Sequence, residues 1–115
     1  MLFRSKGVEI NPNVNGKELT KSGLDRFFAA AEKLGAVIFM HPIGYTDGGR
    51  LMDHYFNNVI GNPLETTVAT AHLIFDGVME RHPKLKVVLH TPAATSRITG
   101  RAWTTPGRRV RTAGR

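Results

Sequence analysis

A short apolar segment at residues 36–40 (AVIFM) constrains the fold more than any other stretch of this sequence. It is continuously apolar and rich in β-branched and aromatic side chains, and it lies between Gly35 and the His41-Pro42 step. Polar residues alternate with apolar ones only where one face of a strand meets water, so this run is typical of a strand buried on both faces of a parallel sheet.

The segment before this strand has the pattern of an amphipathic helix over residues 22–34. Thr20 or Ser22 can cap its start, and Gly35 stands where a helix is expected to end. The apolar residues that recur at helical spacing are Leu24, Phe27, Phe28, Ala31 and Leu34.

A second helix is predicted to open on the residues NPLE. Asn62 has the character of an N-cap, Pro63 suits the first helical position, and Glu65 lies where its carboxylate can reach back to the cap's backbone NH. The step His82-Pro83 ends the helix. Its predicted apolar stripe consists of Leu64, Val68, Ala71, Phe75, Val78 and Met79.

Two further strands are predicted at residues 7–10 (GVEI) and 86–89 (KVVL). Together the elements form a βαβαβ series, which is the pattern of a parallel α/β fold. The connection over residues 42–61 is much longer than the usual ~4 to 6 residues, so we expect it to be a functional loop.

The charge of +7 is distributed unevenly along the chain. Residues 1–89 hold ten Lys and Arg against nine Asp and Glu, whereas residues 90–115 hold six Arg and no acid. The second segment shows no hydrophobic period, and we predict an irregular, disordered basic tail. Its arginines leave open the alternative that the chain is a small nucleic-acid-binding protein, in which the tail makes salt-dependent contacts to phosphates. No pattern of a specific nucleic-acid reader accompanies them, so the favoured prediction has no nucleic-acid partner.

Several classes of protein are excluded by composition. The chain has no cysteine, so a metal site would need histidine and carboxylate ligands. No apolar run approaches the ~20 residues of a membrane span, and the N-terminus lacks the apolar core of a signal peptide. We therefore expect no membrane partner and a cytoplasmic location.

His41 is the first candidate functional residue, because active sites of parallel α/β folds lie at the C-terminal ends of the strands. An imidazole there could bind a metal or transfer protons, or it could simply be hydrogen-bonded at the strand end. His54 is expected in a solvated loop, His72 at the edge of the core, and His82 at a helix end.

Three segments together resemble one enzyme family: GVEINPNVNGKEL, LDRFFAAAEKLGAVIFMHP and NVIGNPLETTVATAHLIFDGVMERHPKLKVVL. The resemblance covers nearly all of residues 7–89 and is to the amidohydrolase-related family that includes aminocarboxymuconate semialdehyde decarboxylase and the resorcylate-type decarboxylases. It implies a (β/α)8 TIM barrel, of which this chain would be a fragment around strands four to six.

The family resemblance also implies a metal-dependent hydrolase or decarboxylase that acts on a small carboxylated substrate and is often homo-oligomeric. Its members hold a divalent metal, usually zinc, and His41 matches the ligand that ends the fifth strand. This sequence has no match for the first-strand His-x-His or the eighth-strand Asp. We therefore expect the 115-residue chain to be inactive and only partly folded, or prone to aggregation, unless another chain completes its barrel.

The resemblance stops after Leu89, where the family continues with a catalytic His in an A-H-G-G-G-Y-L-P stretch and this chain reads HTPAATSRITG. If the codons from Leu89 onward are read from their third bases, they admit Ala, His, Ala, Gly, Gly, Tyr, Leu and Pro in order. We therefore hypothesise that a one-nucleotide deletion places residues 90–115 out of frame. His90 is a catalytic candidate only by position, because it arises from the other frame.

Overall fold

A computed structural model describes residues 6–91, 94–99, 102–105 and 108–111, with side chains for residues 6–90. The strands are β1 (Gly7–Ile10), β2 (Asn13–Val14), β3 (Lys17–Glu18), β4 (Val37–Met40), β5 (Lys86–Thr91), β6 (Ala94–Thr99), β7 (Ala102–Thr105) and β8 (Arg108–Arg111). The α-helices are α1 (Asp25–Leu34), α2 (Asn62–Phe75) and α3 (Val78–Arg81).

The predicted parallel βαβαβ core is confirmed. β1 pairs in parallel with β4, and β4 pairs in parallel with β5, so β4 lies between the other two strands. Ile38 is in register with Val87, and Met40 with Leu89. The alternation of strand and helix therefore gives the α/β sheet that the sequence pattern predicts.

The helices cover one face of this sheet. Alternate residues of β4 and β5 are buried in a cluster with residues of α1 and α2, among them Phe28, Ala31, Ala69 and Leu73. The intervening residues, including Phe39 and Val88, lie on the opposite face and are only half-buried. The prediction of a strand buried on both faces is thus right for one face of β4 and only partly right for the other.

The start of α1 differs from the prediction. The helix begins at Asp25 without a side-chain cap, because the two expected caps bond elsewhere. The hydroxyl of Ser22 donates to the carbonyl of Glu18, and that of Thr20 donates to Asp76. The predicted end is right: Gly35 adopts a left-handed φ of 64° and its NH closes the last turn.

The apolar stripe predicted for α2 is wrong in part. Leu64 is 38% exposed and Phe75 is 87% exposed, whereas the face turned to the core consists of Glu65, Thr66, Ala69, Thr70 and Leu73. Gly77, with a φ of 82°, interrupts the predicted helix, so Val78 and Met79 reach the core from the separate short α3. The buried face of α2 therefore lies at different positions from the predicted apolar stripe.

A small hairpin lies between β1 and α1. β2 and β3 pair antiparallel across Asn15 and Gly16, which have φ values of 50° and 81°. Both turn residues have positive φ, as a two-residue type I′ turn requires, and Asn-Gly is its favoured sequence. The hairpin brings Asn13 close to the loop that follows β4.

The expectation of an irregular tail differs from the structure. β6, β7 and β8 extend the sheet from β5 as consecutive antiparallel strands. Threonine, isoleucine, valine and tryptophan favour strands, and the sequence places Gly100-Arg101 and Pro106-Gly107 between them, which are turn signals. Among the described residues, no helix is long and apolar enough to cross a membrane.

Candidate functional site

Two histidines meet at the C-terminal edge of the parallel strands. His41 directly follows β4, its backbone NH donates to the carbonyl of Ile10, and His90 lies near the end of β5. Their ring centroids are 4.9 Å apart and their planes differ by 9°, so the imidazoles are stacked. Phe39 lies beneath them, with its ring centroid 5.9 Å from that of His90 and 6.3 Å from that of His41.

The parallel register explains why the two rings meet. Phe39 is opposite Val88, and Met40 is opposite Leu89, so the next residues along the two strands are His41 and His90. Side chains alternate between the faces of a strand, and both histidines therefore lie on the face opposite the helices. The sheet thus presents two half-buried imidazoles side by side at its C-terminal edge.

An open cleft of about 580 Å³ lies beside His41. Its walls come from the loop after β4 and from the start of α2, and they combine apolar side chains with amides. The lining residues are His41, Pro42, Ile43, Gly44, Leu51, Met52, Tyr55, Asn57, Asn58 and Asn62. A cleft of this size, with a few polar groups in an otherwise apolar wall, suits a small organic ligand.

The loop that forms this cleft is held by side chains from the helical side. The backbone NH groups of three consecutive residues, 44, 45 and 46, each donate to a different side-chain oxygen. The acceptors are Asn62 Oδ1 at 2.5 Å, Asn57 Oδ1 at 2.9 Å and Glu65 Oε2 at 3.0 Å. The long connection is therefore ordered around the cleft, as expected of a functional loop.

Asn62 and Glu65 do not have the capping roles predicted for them. A five-residue π-helix, Asn57–Gly61, runs directly into α2, so Asn62 is already inside a helix. Glu65 is 6% exposed and also accepts a hydrogen bond from Asn13 Nδ2 at 2.7 Å. The capping geometry is lost because the π-helix supplies the preceding turn, and both side chains anchor the loop instead.

The roles of Asn57 and Glu65 as anchors of the loop were not predicted from the sequence. The available signal was the density of amides in NNVIGN, close to a long loop. The contacts themselves join residues 12 to 52 positions apart, and no local pattern predicts such partners.

The described residues do not form a complete metal site. His41 and His90 are the two imidazoles at the strand edge, whereas a catalytic zinc takes three protein ligands and a water. Among the described residues, no three His, Asp or Glu side chains are placed to hold a metal ion. Any resident metal would therefore need further ligands.

The remaining histidines, His54, His72 and His82, do not line the cleft. His54 is in the exposed loop with a positive φ of 49°. His72 lies 2.9 Å from Asp76 and 3.6 Å from Glu18 on the half-exposed side of α2. A hydrogen bond from Thr20, and then that of His72, hold the pKa of Asp76 below its ordinary value.

His82 joins α1 to the turn before β5. It is 8% exposed, with Nε2 3.2 Å from Asp25 and Nδ1 3.6 Å from Glu32. Its hydrogen bond is the main reason that the pKa of Asp25 is lowered, and the nearby Arg81 contributes. His72 and His82 therefore connect elements of the fold, in more specific ways than their predicted positions suggested.

Comparisons with known proteins agree with this architecture. A family model described as Amidohydrolase matches residues 3–110. A curated relative from Dictyostelium discoideum, 2-amino-3-carboxymuconate-6-semialdehyde decarboxylase, is 41% identical over 81 residues, which are 70% of this chain and 23% of the relative. The apo crystal structure of Metarhizium anisopliae IDCase superimposes with a TM-score of 0.61 at 29% identity, over 73% of this chain and 24% of that one.

The chain thus spans about a quarter of the length of both proteins to which it is similar. These matches favour the hydrolase or decarboxylase prediction and give no support to the nucleic-acid-binding alternative.

Proposed function

The chain belongs to the amidohydrolase family, and from this premise we propose that it is part of a metal-dependent decarboxylase or hydrolase that acts on a small carboxylated substrate. The observation that carries the proposal is the position of His41. It ends a parallel strand, stacks on a second histidine and lines a cleft large enough for such a substrate. The 41% identity to a decarboxylase favours decarboxylation over C–N hydrolysis.

We infer that residues 7–89 correspond to strands four to six of a (β/α)8 barrel. Three parallel strands with helices gathered on one face fit a barrel wall, whereas an open doubly wound sheet has helices on both faces. In a barrel the face that carries Phe39, Val88 and the two histidines would be the interior. Their half-buried state in this chain agrees with that placement.

His41 would be one of the metal ligands, and the other ligands would come from strands that this chain does not contain. Zinc is the proposed metal, and when bound it would supply electrophilic assistance to the substrate. The residues of this chain would orient the substrate and limit its contact with water. The ring centroid of His90 lies 4.9 Å from that of His41, and His90 is the candidate for proton transfer in this sequence as it stands.

A chimera would test the proposal. Residues 7–89, which include His41 and His54, would replace their counterparts in the Dictyostelium decarboxylase, and turnover of 2-amino-3-carboxymuconate-6-semialdehyde would be followed. We expect an active chimera that loses activity by roughly 10²-fold or more on His41→Ala, in line with the loss of a group that stabilises the transition state. The matched control is His54→Ala, in the exposed loop, which should retain activity. A folded but inactive chimera, or equal activity in both variants, would contradict the proposal.

We also propose the shifted reading frame for residues 90–115. The support is the ordered set of family residues that the shifted codons admit after Leu89. The family match runs to residue 110 in the given frame, and this weighs against the shift. Nucleotide sequencing across codon 89 of the source DNA tests the shift. An additional base, or a family-like continuation of the actual nucleotides in the shifted frame, supports the shift, and an intact frame without such a continuation rules it out.

A further inference from the structure

The side chain of Asn57 lies at the centre of the loop that forms the cleft. Asn57 begins the π-helix, is half-buried, and accepts a hydrogen bond from the backbone NH of Tyr45 at 2.9 Å. Asn57 also lines the cleft, as do Gly44 and His41. One amide thus contacts both the ligand space and the segment that follows the candidate metal ligand.

Three glycines, two in the loop and one at the end of the π-helix, surround this amide. A Cβ added at Gly44 would lie 2.5 Å from Asn57 Nδ2, and one added at Gly48 would lie 3.0 Å from Asn57 Oδ1. A Cβ at Gly61 would also contact Asn57 Oδ1. The amide therefore occupies space that exists only because these three positions have no side chain.

The π-helix contributes to this arrangement. Helices of this kind are rare and often occur at functional sites, because their wider turn shifts the side chains of that turn relative to the following α-helix. Here the π-helix begins with Asn57 and ends with Gly61, and Gly61 packs against the side-chain amide of Asn57. The wide turn thus brings the two ends of one helical segment against the loop.

Neighbouring contacts hold the same loop on either side. The NH of Gly44 donates to Asn62 Oδ1 and the NH of Thr46 donates to Glu65 Oε2, which leaves the NH of Tyr45 between them for Asn57. Asn62 and Glu65 are residues of α2. Of the three side chains that accept these hydrogen bonds, Asn57 is the one that packs against the loop glycines Gly44 and Gly48.

We propose that Asn57 is a positioning residue that holds residues 44–46 beside His41 and so keeps the ligand cleft formed in the absence of ligand. The identity of the ligand rests on the proposed function. The arrangement of the loop around Asn57 does not depend on the proposed function. A preformed cleft avoids the cost of ordering the loop when a ligand binds.

Amide hydrogen exchange in the metal-free 115-residue chain tests the proposal. Replacing Asn57 by Ala should accelerate exchange at Tyr45 by roughly five- to tenfold, the effect of losing a hydrogen bond worth about 1 kcal/mol. Asn57→Asp keeps an oxygen acceptor and should restore the slow exchange. The matched control is Asn58→Ala, since the exposed side chain of Asn58 donates to the hydroxyl of Tyr55 and makes no hydrogen bond to the NH of Tyr45. Exchange in β4 reports whether each variant is folded.

A pair of adjacent glycines provides a second test that leaves Asn57 in place. Gly48→Ala should push the amide by a few tenths of an ångström and so accelerate exchange at Tyr45, whereas Gly49→Ala should not, because a Cβ at Gly49 meets nothing within 4 Å. Both glycines lie in the same short 3₁₀ helix, Gly48–Leu51, so their backbone settings are similar.

The nuclear Overhauser contact between the rings of His41 and His90 reports on the site itself. It should weaken in Asn57→Ala and Gly48→Ala and persist in Asn57→Asp, Asn58→Ala and Gly49→Ala. The proposal is overturned if Tyr45 exchange and the ring contact are unchanged in the first two variants, or if the control variants change them equally. If Asn57→Ala unfolds β4, the difference between Gly48→Ala and Gly49→Ala decides the outcome. These measurements need neither metal nor substrate, so they can succeed or fail independently of the chimera.

Discussion

Two regions of this molecule meet at β5 and differ in nearly every respect. Before β5, parallel strands alternate with helices, and the acidic and basic residues are almost balanced. After it, antiparallel strands follow one another directly, and all the charged residues of positions 90–115 are arginines. β5 pairs in parallel with β4 on one edge and antiparallel with β6 on the other.

This difference favours the first region as the part that carries the proposed barrel wall. Parallel strands need helical crossovers, and a crossover must bury an apolar face, so this region requires a specific long-range core. Antiparallel strands need only short turns and residues with strand propensity. The first region therefore depends on its particular sequence far more than the second does, which agrees with the proposed change of reading frame.

The largest expected effect is the loss of a core side chain in the first region. Ile38 is 1% exposed, and Ile38→Ala should reduce the free energy of unfolding by about 2–5 kcal/mol, because it leaves a cavity in the central strand. The matched control is Ile43→Ala, since Ile43 is 80% exposed and should change stability by about 0.5 kcal/mol or less. Urea denaturation measures both, and equal losses would show that β4 is not at the centre of the core.

A smaller effect is expected when the second region is removed. A chain truncated after Thr91 loses the antiparallel pairing of β5, but β4 keeps both of its parallel neighbours. Amide exchange in Val37–Met40 should therefore remain slow, and the loss of stability should be smaller than that of Ile38→Ala. Fast exchange throughout β4 in the truncated chain would show instead that the first region depends on the strands that follow it.

The smallest effect concerns acid stability within the first region. The pKa values of Asp25 and Asp76 are lowered in the folded chain, chiefly by hydrogen bonds from His82 and from Thr20 respectively. Their contribution to stability is thus present above the ordinary aspartate pKa and is lost as the pH falls through the lowered value. Asp25→Asn and Asp76→Asn should each flatten the fall in stability between neutral and strongly acidic pH. An unchanged or steeper acid dependence would contradict the assignment.

Within the first region, local features could be predicted from the sequence and long-range contacts could not. The strand at residues 36–40, the stop at Gly35 and the βαβαβ order follow from local hydrophobic pattern and glycine conformation. The Asn-Gly hairpin had a local signal as well. The loop anchors did not, because Glu65 resembles a capping residue in sequence and bonds to Asn13, 52 residues away, in the fold.

The candidate site was predictable at its strand ends and in the presence of a long functional loop, but not in the contacts that order this loop. The position of His41 follows from the strand that it terminates, and its meeting with His90 follows from parallel register. The exposed Leu64 and Phe75 show the limit of this reasoning. An apolar residue is expected to be buried, but the sequence does not indicate which neighbour covers it, or whether that neighbour belongs to this chain.

Zinc binding tests the central claim most directly, namely that the first region supplies one metal-binding wall of a larger barrel. Zinc would be titrated calorimetrically into the 115-residue chain and into the apo chimera with and without His41→Ala. We predict no tight stoichiometric binding by the 115-residue chain, one tightly bound zinc in the chimera, and a loss of at least roughly tenfold in affinity in the variant. Tight stoichiometric binding by the 115-residue chain, or undiminished binding by the His41→Ala chimera, would contradict the account.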